Sequence, residues 1–389
     1  MQINENQKAI PKNLKNTLNA DLLWGSANLN EAARASKLLL AIDLGEEKAS
    51  PLFGRIIVGE DNKTKRTCIT LDTISTALNK TNFYGKFSKD IVKENGTFYN
   101  GNFDKTHDNI FNFIVACFDH LKEELSNDWD LGEGENGFIT INATIYVLIL
   151  LLNDIVNFLN ENNTIDPKKH KLDLIVSKTI KYLQPIVNHF KIISIDERLN
   201  YRKSYGLSGR TDYWHRLQKV IRDSYPTFNP ASLKKYDDEK AQFLNDLAIK
   251  YIKGIEKHLN RVLKERLVEK YEKNWWKKGV PLPVYKNAES LSSQKNREVE
   301  DEDEEIEPWN CLHIIDYRDI IMHNKSWLLK DFTKQGQDQL NAEAKTSWLV
   351  EFNKIRNDNV HSWVGQESQI KFLEEIYNWL IQNDLEEED

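Results

Sequence analysis

The chain has 389 residues, 40% hydrophobic and 29% charged: a folding rather than a disordered composition, long enough for two or three domains of roughly 100–200 residues. Its 9 prolines and 16 glycines argue against collagen-like, linker-dominated and turn-rich all-β architectures. Three distant cysteines (Cys68, Cys117, Cys311) with no CxxC pair exclude a disulfide scaffold and a thiolate zinc site, and fit a reducing cytoplasm.

Charge is unevenly spread. Eight acidic residues lie between Glu298 and Glu307 and five more between Asp384 and Asp389; setting these 13 aside moves the net charge from −7 to +6. The body is mildly basic, with two acidic appendages that read as solvated segments. The opening MQINENQKAIPKNLK has no apolar h-region, so it is not a signal peptide. The longest apolar run, Ile145 to Leu152, is eight residues, short of the roughly 20 that span a bilayer. A cytoplasmic protein with no membrane partner is expected.

In chain order, a short helix is predicted over Asn30–Leu44. SPLFGRIIVGEDNKTKRTCITL follows, where the β-branched runs Ile56–Val58 and Thr67–Leu71 flank GEDNKT and predict a β-hairpin. Ile110–Leu125 places Ile110, Phe111, Ile114, Cys117, Phe118 and Leu121 at helical spacing. Thr140–Asn160 is apolar nearly all round and predicts a buried central helix. Helices over Leu172–Phe190 and Asp212–Ser224 follow. Asp237–Trp275 is the longest periodic segment, with the stripe Leu244, Leu247, Tyr251, Ile255, Leu259, Val262 and Leu267. WWKKGVPLPVY ends it through Gly279 and two prolines. Residues 286–308 are polar and acidic without periodicity and predict a linker or long excursion. Helical patterns resume over Trp309–Asn324, Gln337–Asn357 and Glu367–Asn383. The fold class is mainly α: a helical N-terminal domain with a small β-hairpin, then a C-terminal helical bundle. No Walker-type loop or HExxH is present, and neither cofactor nor metal is expected.

The most informative stretch is WLVEFNKIRNDNVHSW, which holds Arg356, Asn357 and His361 as R-N-x-x-x-H. An Arg and a His so spaced at a helix end can converge on one phosphodiester. The guanidinium forks onto non-bridging oxygens, and an imidazole with a pKa near 6.5 can move the 2′-OH or 5′-oxygen proton. Such chemistry needs no metal. A purely structural use also fits these residues, with Arg356 paired to Asp358 and His361 capping the last helix. Arg318 and His323 repeat the spacing on an earlier helix and read as coincidence.

LHIIDYRDIIMHNKSWLLKDF, SWLVEFNKIRNDNVHSW and SQIKFLEEIYNWLI together resemble a HEPN domain, a helical-bundle class of RNases and nucleotide-binding modules. The resemblance covers 238–389. It implies His361 as acid/base, Arg356 as phosphate clamp, Asn357 as orienting residue, and a homodimer, because such sites usually form across a dimer. INENQKAIPKNLK, SPLFGRIIV, the helix from Phe111 to Leu125 and SYGLSGRTDYWHRLQKVIRDSYPTFNP resemble the C-terminal half of DGQHR-domain proteins, relatives of the DNA-phosphorothioation regulator with a ParB-like N-terminal half. That match covers 1–235. The D-G-Q-H-R stretch itself is absent, and Met1 falls within what is a continuous domain in the family. A truncated or split version is therefore expected, with a partner chain supplying the ParB-like half. Apolar residues at Ile10, Leu14, Leu18, Leu22, Leu23 and Trp24 are expected to be exposed or packed on a second chain.

Between Arg198 and Arg222 there are seven Arg/Lys against one acid, interleaved with aromatics. Arg198, Arg202, Lys203, Arg210, Trp214, Arg216 and Lys219 are candidates for nucleic-acid binding by phosphate contact and stacking; a solvated basic face with aromatics in the core is the alternative. The expected function is prokaryotic nucleic-acid defence: a HEPN endoribonuclease controlled by a domain that senses nucleic acid or a partner, with RNA or DNA bound. A non-enzymatic DNA-associated regulator whose bundle only dimerises is the other reading.

Overall fold

The computed structural model describes residues 20, 22–59, 61–204, 206–298, 304–360 and 367–386, with residues 207, 298, 358–360 and 382–386 described by backbone alone. The chain is mainly α, 69% helix and 4% strand. It divides into two compact units, Met1–Tyr236 and Asp237–Asp389.

In the first unit the helices are α1 (Leu29–Glu46), α2 (Leu71–Lys80), α3 (Phe103–Glu124), α4 (Ser126–Trp129), α5 (Asn142–Glu161), α6 (Leu172–Ile192), α7 (Ile195–Arg202) and α8 (Gly206–Ser224). The apolar helix expected over Thr140–Asn160 is α5. Every residue from Ala143 to Val156 is buried, as a helix apolar on all sides requires. Helices α2, α6, α7 and α8 pack on it, while α1 lies on α2 and α3. Among the described residues α5 is the helix long and apolar enough to cross a membrane, and 89% of its most apolar window is buried inside the protein. Polar caps set the helix starts: Asn28, Thr70 and Asn102 accept backbone N–H groups at the heads of α1, α2 and α3.

The strand expectation needs correction. Strands β1 (Ile56–Ile57) and β2 (Ile69–Thr70) pair in parallel and form no hairpin. Two local turns lie between them, one where the Val58 N–H reaches Asp61 and one where the Thr64 N–H reaches the Thr67 carbonyl. Two reversals return the chain to its original direction. The hairpin of this unit is β3 (Gly85–Ser88) with β4 (Ile91–Asn95), joined at Lys89 and Asp90. Its second strand is exposed throughout, so it lacks the alternation that marks a strand in sequence. Gly85 at φ 91 sits so close to the Glu94 carbonyl and Gly96 nitrogen that a Cβ would overlap both.

Near the expected N-terminal apolar segment, residues 1–19, including Ile10, Leu14 and Leu18, lie outside the described residues. Leu22 is 79% exposed. Trp24 is half-buried and meets His107 edge to face at 6.1 Å.

The long helix α9 (Ala231–Tyr271) begins before the boundary between the units and supplies the second core. Ala248, Ile252, Ile255, Leu259, Leu263 and Leu267 form its buried line, with Leu244, Leu247, Tyr251 and Val262 partly buried beside it. The remaining helices are α10 (Trp275–Gly279), α11 (Leu282–Lys295), α12 (Ile314–His323), α13 (Ala342–Lys345), α14 (Ser347–Val360) and α15 (Glu367–Glu386). Ile320 and Ile321 from α12, Leu349, Phe352 and Ile355 from α14, and Leu373 and Ile376 from α15 close the bundle core.

The linker expected over 286–308 is largely structured. Helix α11 runs to Lys295, and its Val284, Ala288 and Ser292 form a small buried stripe at four-residue spacing. The Ser292 hydroxyl donates to the Ile306 carbonyl at 2.5 Å. Asn296 binds the same residue's carbonyl and N–H, at 3.1 and 2.9 Å. A stripe of small side chains buries little apolar area, so composition concealed it. Residues 299–303, within the acidic run, lie outside the described residues.

Gly254 in α9 lies against Tyr377 of α15, and a Cβ there would overlap the ring. In an open helix interior, Gly→Ala gains about 1 kcal/mol. Gly254→Ala is expected to lower the unfolding midpoint in the wild-type background and to raise it when Tyr377 is replaced by Ala. A urea-melt double-mutant cycle checks this; the same sign in both backgrounds would show that the close approach does not matter.

Candidate functional site

Helix α14 turns Leu349, Phe352 and Ile355 into the core. Arg356, the next residue, therefore emerges at the edge of the bundle, half-buried. Its Nε donates to Glu256 of α9 at 3.1 Å and its Nη1 to Asn357 Oδ1 at 3.4 Å. A guanidinium has five N–H donors; two are used in these bonds.

Arg356 opens onto a cleft of about 560 Å³. The α9 face contributes Lys253, Glu256, Lys257, Asn260 and Arg261, while Asn310, His313 and Tyr317 add further polar side chains. Glu256 is the one carboxylate among these lining residues, set against four permanent cations. Arg261 is also paired along the helix with Glu265 at 3.3 Å. Tyr317 accepts from Asn260 Nδ2 at 3.1 Å. Burial pushes its phenol pKa up, and nearby Glu256 adds to this against the opposing Asn260 bond. It is held as a neutral hydroxyl. His313 is exposed and precedes α12, where its own N–H donates to Asp316 at 2.7 Å. Such a cleft can take an anionic, phosphate-bearing chain, with an imidazole and a phenol at hand.

Of the expected catalytic set, Arg356 lies at this cleft and its guanidinium donates to the neighbouring, exposed Asn357. His361 lies outside the described residues. At the second copy of the spacing, Arg318 donates to the Thr346 hydroxyl at 3.1 Å and His323 is exposed. Sequence reasoning missed His313, Tyr317, Lys253 and Lys257. The lysines sit at i and i+4, a spacing that puts them on one helix face, but α9 carries cations along its length and no periodicity separates these two.

The basic segment of the first unit is mostly engaged within the chain. Arg198 pairs with Asp128 at 2.5 Å and covers the Phe138 ring. Arg202 donates to the carbonyls of Gly134 and Glu133. Arg216 pairs with Glu197 at 2.6 Å over the Tyr201 ring. Arg210 stacks on Tyr146 and Lys219 lies over Tyr236. Lys203 is exposed at the end of α7. Trp214 donates its indole N–H to Asp154 at 2.6 Å, which commits that side of the ring to the interior.

Protein-family models, curated proteins and solved structures were compared with this chain, and none matches it.

Asp154 is buried on α5, and its Oδ2 accepts from Trp214 Nε1 and Gln218 Nε2, each at 2.6 Å. Burial pushes its carboxyl up to about 7 from an ordinary 3.8, against the lowering by these hydrogen bonds. Across that window the folded chain keeps a proton that the unfolded chain releases, so stability falls as pH rises from about 4 to 7 and then levels. Asp154→Asn keeps an acceptor oxygen and cannot ionise. Its stability relative to wild type is expected to rise over the same window by up to about 4 kcal/mol, at ~1.4 kcal/mol per pKa unit. Urea melts at pH 4.5 and 7.5 measure this; parallel profiles would place the ionisation elsewhere.

Proposed function

We propose that the second unit is a HEPN-type, metal-independent endoribonuclease domain, and that the first senses nucleic acid or a partner chain, together serving nucleic-acid defence. The observation that carries this reading is the seat of Arg356: a half-buried guanidinium beside Asn357, opening onto a cleft lined by Lys253, Lys257 and Arg261. Arg356 would hold the non-bridging oxygens of the scissile phosphate, where developing charge needs fixed donors. His361 would take the 2′-OH proton as that oxygen attacks phosphorus, and return a proton to the departing 5′-oxygen. The products are a 2′,3′-cyclic phosphate and a 5′-hydroxyl. A homodimer through the bundle would bring two copies of the motif together.

A second reading has its own support. The Arg356–Glu256 pair at 3.1 Å ties the motif arginine inside its own chain, as expected of a regulator whose bundle only dimerises.

Activity measured beside oligomeric state separates the two. His361→Ala is expected to reduce RNA cleavage by about 10²–10⁴-fold and Arg356→Ala by about 10²–10³-fold, both with folding intact. His323→Ala is expected to leave the rate nearly unchanged, and EDTA not to inhibit. A dimeric His361→Ala variant with wild-type cleavage, or a wild-type chain that cuts no RNA when offered DNA and RNA as triggers, overturns the enzymatic reading in favour of the regulator.

A further inference from the structure

The first unit has a second cleft, of about 550 Å³, that no sequence motif announces. Three separate segments build it. Arg34 and Lys37 come from successive turns of α1, Lys80 from the last turn of α2, and Lys86 and Lys93 from the β3–β4 hairpin. The one carboxylate in the lining, Glu94, is already paired with Lys86 at 2.5 Å. Among the described residues no carboxylate lies within 4.0 Å of Arg34, Lys37, Lys80 or Lys93. In a chain whose net charge is −7, five cations facing one acid across a concavity form a local excess. A concave low-dielectric wall focuses such a field on whatever enters it.

Two details go beyond surface charge. Lys37 is half-buried, with its ammonium 5.9 Å from the Tyr84 ring centre, and burial lowers its pKa with no carboxylate opposing. A desolvated cation without an anion is costly, and a ligand phosphate would be that anion. The other detail is Asn82. Its backbone N–H is fixed by Asn153 Oδ1 at 2.8 Å, yet its side-chain oxygen is buried and unpaired on a residue that lines the cleft. That acceptor needs a donor, which inorganic phosphate at neutral pH supplies poorly and a sugar hydroxyl or base amine supplies well. Half-buried Phe87 adds an aromatic wall, held by Tyr99 at 4.9 Å and Phe103 at 5.3 Å. The volume falls within the roughly 300–1,000 Å³ of small-molecule sites.

We propose that this cleft binds a nucleoside polyphosphate, with the phosphates on Lys37, Lys80, Lys93 and Arg34 and a hydroxyl or amine of the nucleoside on Asn82. The site belongs to the first unit alone and stands whether or not the second unit cleaves RNA.

The test titrates ATP, inorganic triphosphate and adenosine separately into the full chain by calorimetry, free of divalent cations so that the protein's own charges neutralise the phosphates. ATP is expected to bind more tightly than either half. Lys37→Met and Lys93→Gln are each expected to weaken ATP and triphosphate by about tenfold or more, the usual loss for one charge-assisted hydrogen bond. Asn82→Leu is expected to weaken ATP several-fold while leaving triphosphate unchanged. Lys93 is exposed on β4, so its substitution leaves the core untouched, and unfolding midpoints confirm that each variant is folded. No saturable ATP binding by the wild type overturns the proposal, as does unchanged affinity in the Lys37→Met/Lys93→Gln double variant. Equal affinity for ATP and triphosphate overturns the nucleoside contact. A single-stranded RNA oligomer that binds where ATP does not would make the cleft a nucleic-acid track instead.

Discussion

A helix apolar on every side has to be wrapped, and wrapping Asn142–Glu161 organises the first unit. Its few polar side chains show how. At its head, the Asn142 side-chain oxygen accepts from the Thr70 N–H and the Thr73 hydroxyl, fixing the start of the Leu71–Lys80 helix. Thr144 meets the Tyr213 hydroxyl at 3.1 Å. Asn153 holds the Asn82 N–H, Asp154 holds Trp214 and Gln218, and Asn157 accepts from Thr97 at 2.6 Å. Successive polar side chains thus bind different wrapping segments. Apolar packing alone would tolerate a helix sliding by a turn; an unpaired buried amide or carboxylate would not.

The same bonds shape the surface. The Asn153 bond fixes the Asn82 backbone at the point where the Leu71–Lys80 helix hands over to the hairpin, and there the basic cleft opens. The ring of Tyr146, from the same central helix, carries Lys80 at 5.7 Å on one contact and Arg210 at 5.0 Å on another. Cations that the sequence scatters across more than a hundred residues are therefore placed by one buried helix. In the second unit, closeness serves a comparable end. Gly254 lets the Glu367–Glu386 helix come in against the long helix, which two residues on presents Glu256 to Arg356.

Much of the architecture was legible because apolar periodicity is written locally. The expectations for Leu172–Phe190 and Glu367–Asn383 start at the observed residues, and the all-round apolar helix lies where its composition put it. Where reading failed, stability came from something other than apolar area. Val284, Ala288 and Ser292 are too small to register as a stripe, and the exposed second strand of the hairpin has no inward face. The long helix is read in part: Ile255, Leu259 and Leu267 of the expected stripe are on its buried line, while Ala248, Ile252 and Leu263 fill the places where Leu244, Leu247, Tyr251 and Val262 are only partly buried. Of the candidate site, Arg356 with Asn357 was legible because two adjacent residues need no fold to meet. His313 and Tyr317 were not, because only bundle packing carries them to the arginine.

Charge density in sequence is also a poor guide to charge available for binding. Residues 198–222 are the most conspicuously basic stretch, yet Arg198, Arg202 and Arg216 spend their donors on Asp128, on two carbonyls and on Glu197. Such pairing converts a basic run into interior scaffolding, and its aromatics follow: Tyr213 and Tyr201 stack at 4.2 Å, and the Trp214 indole is bound to a carboxyl. The cations that face the cleft of the first unit come instead from segments with no marked local excess, such as a lysine ending a short helix or a lysine on an exposed strand. A run of like charge within one segment repels itself and recruits acids as the chain folds. Cations far apart in sequence meet only after folding, when the nearby acids already have partners, and their shared field is then left to an outside anion.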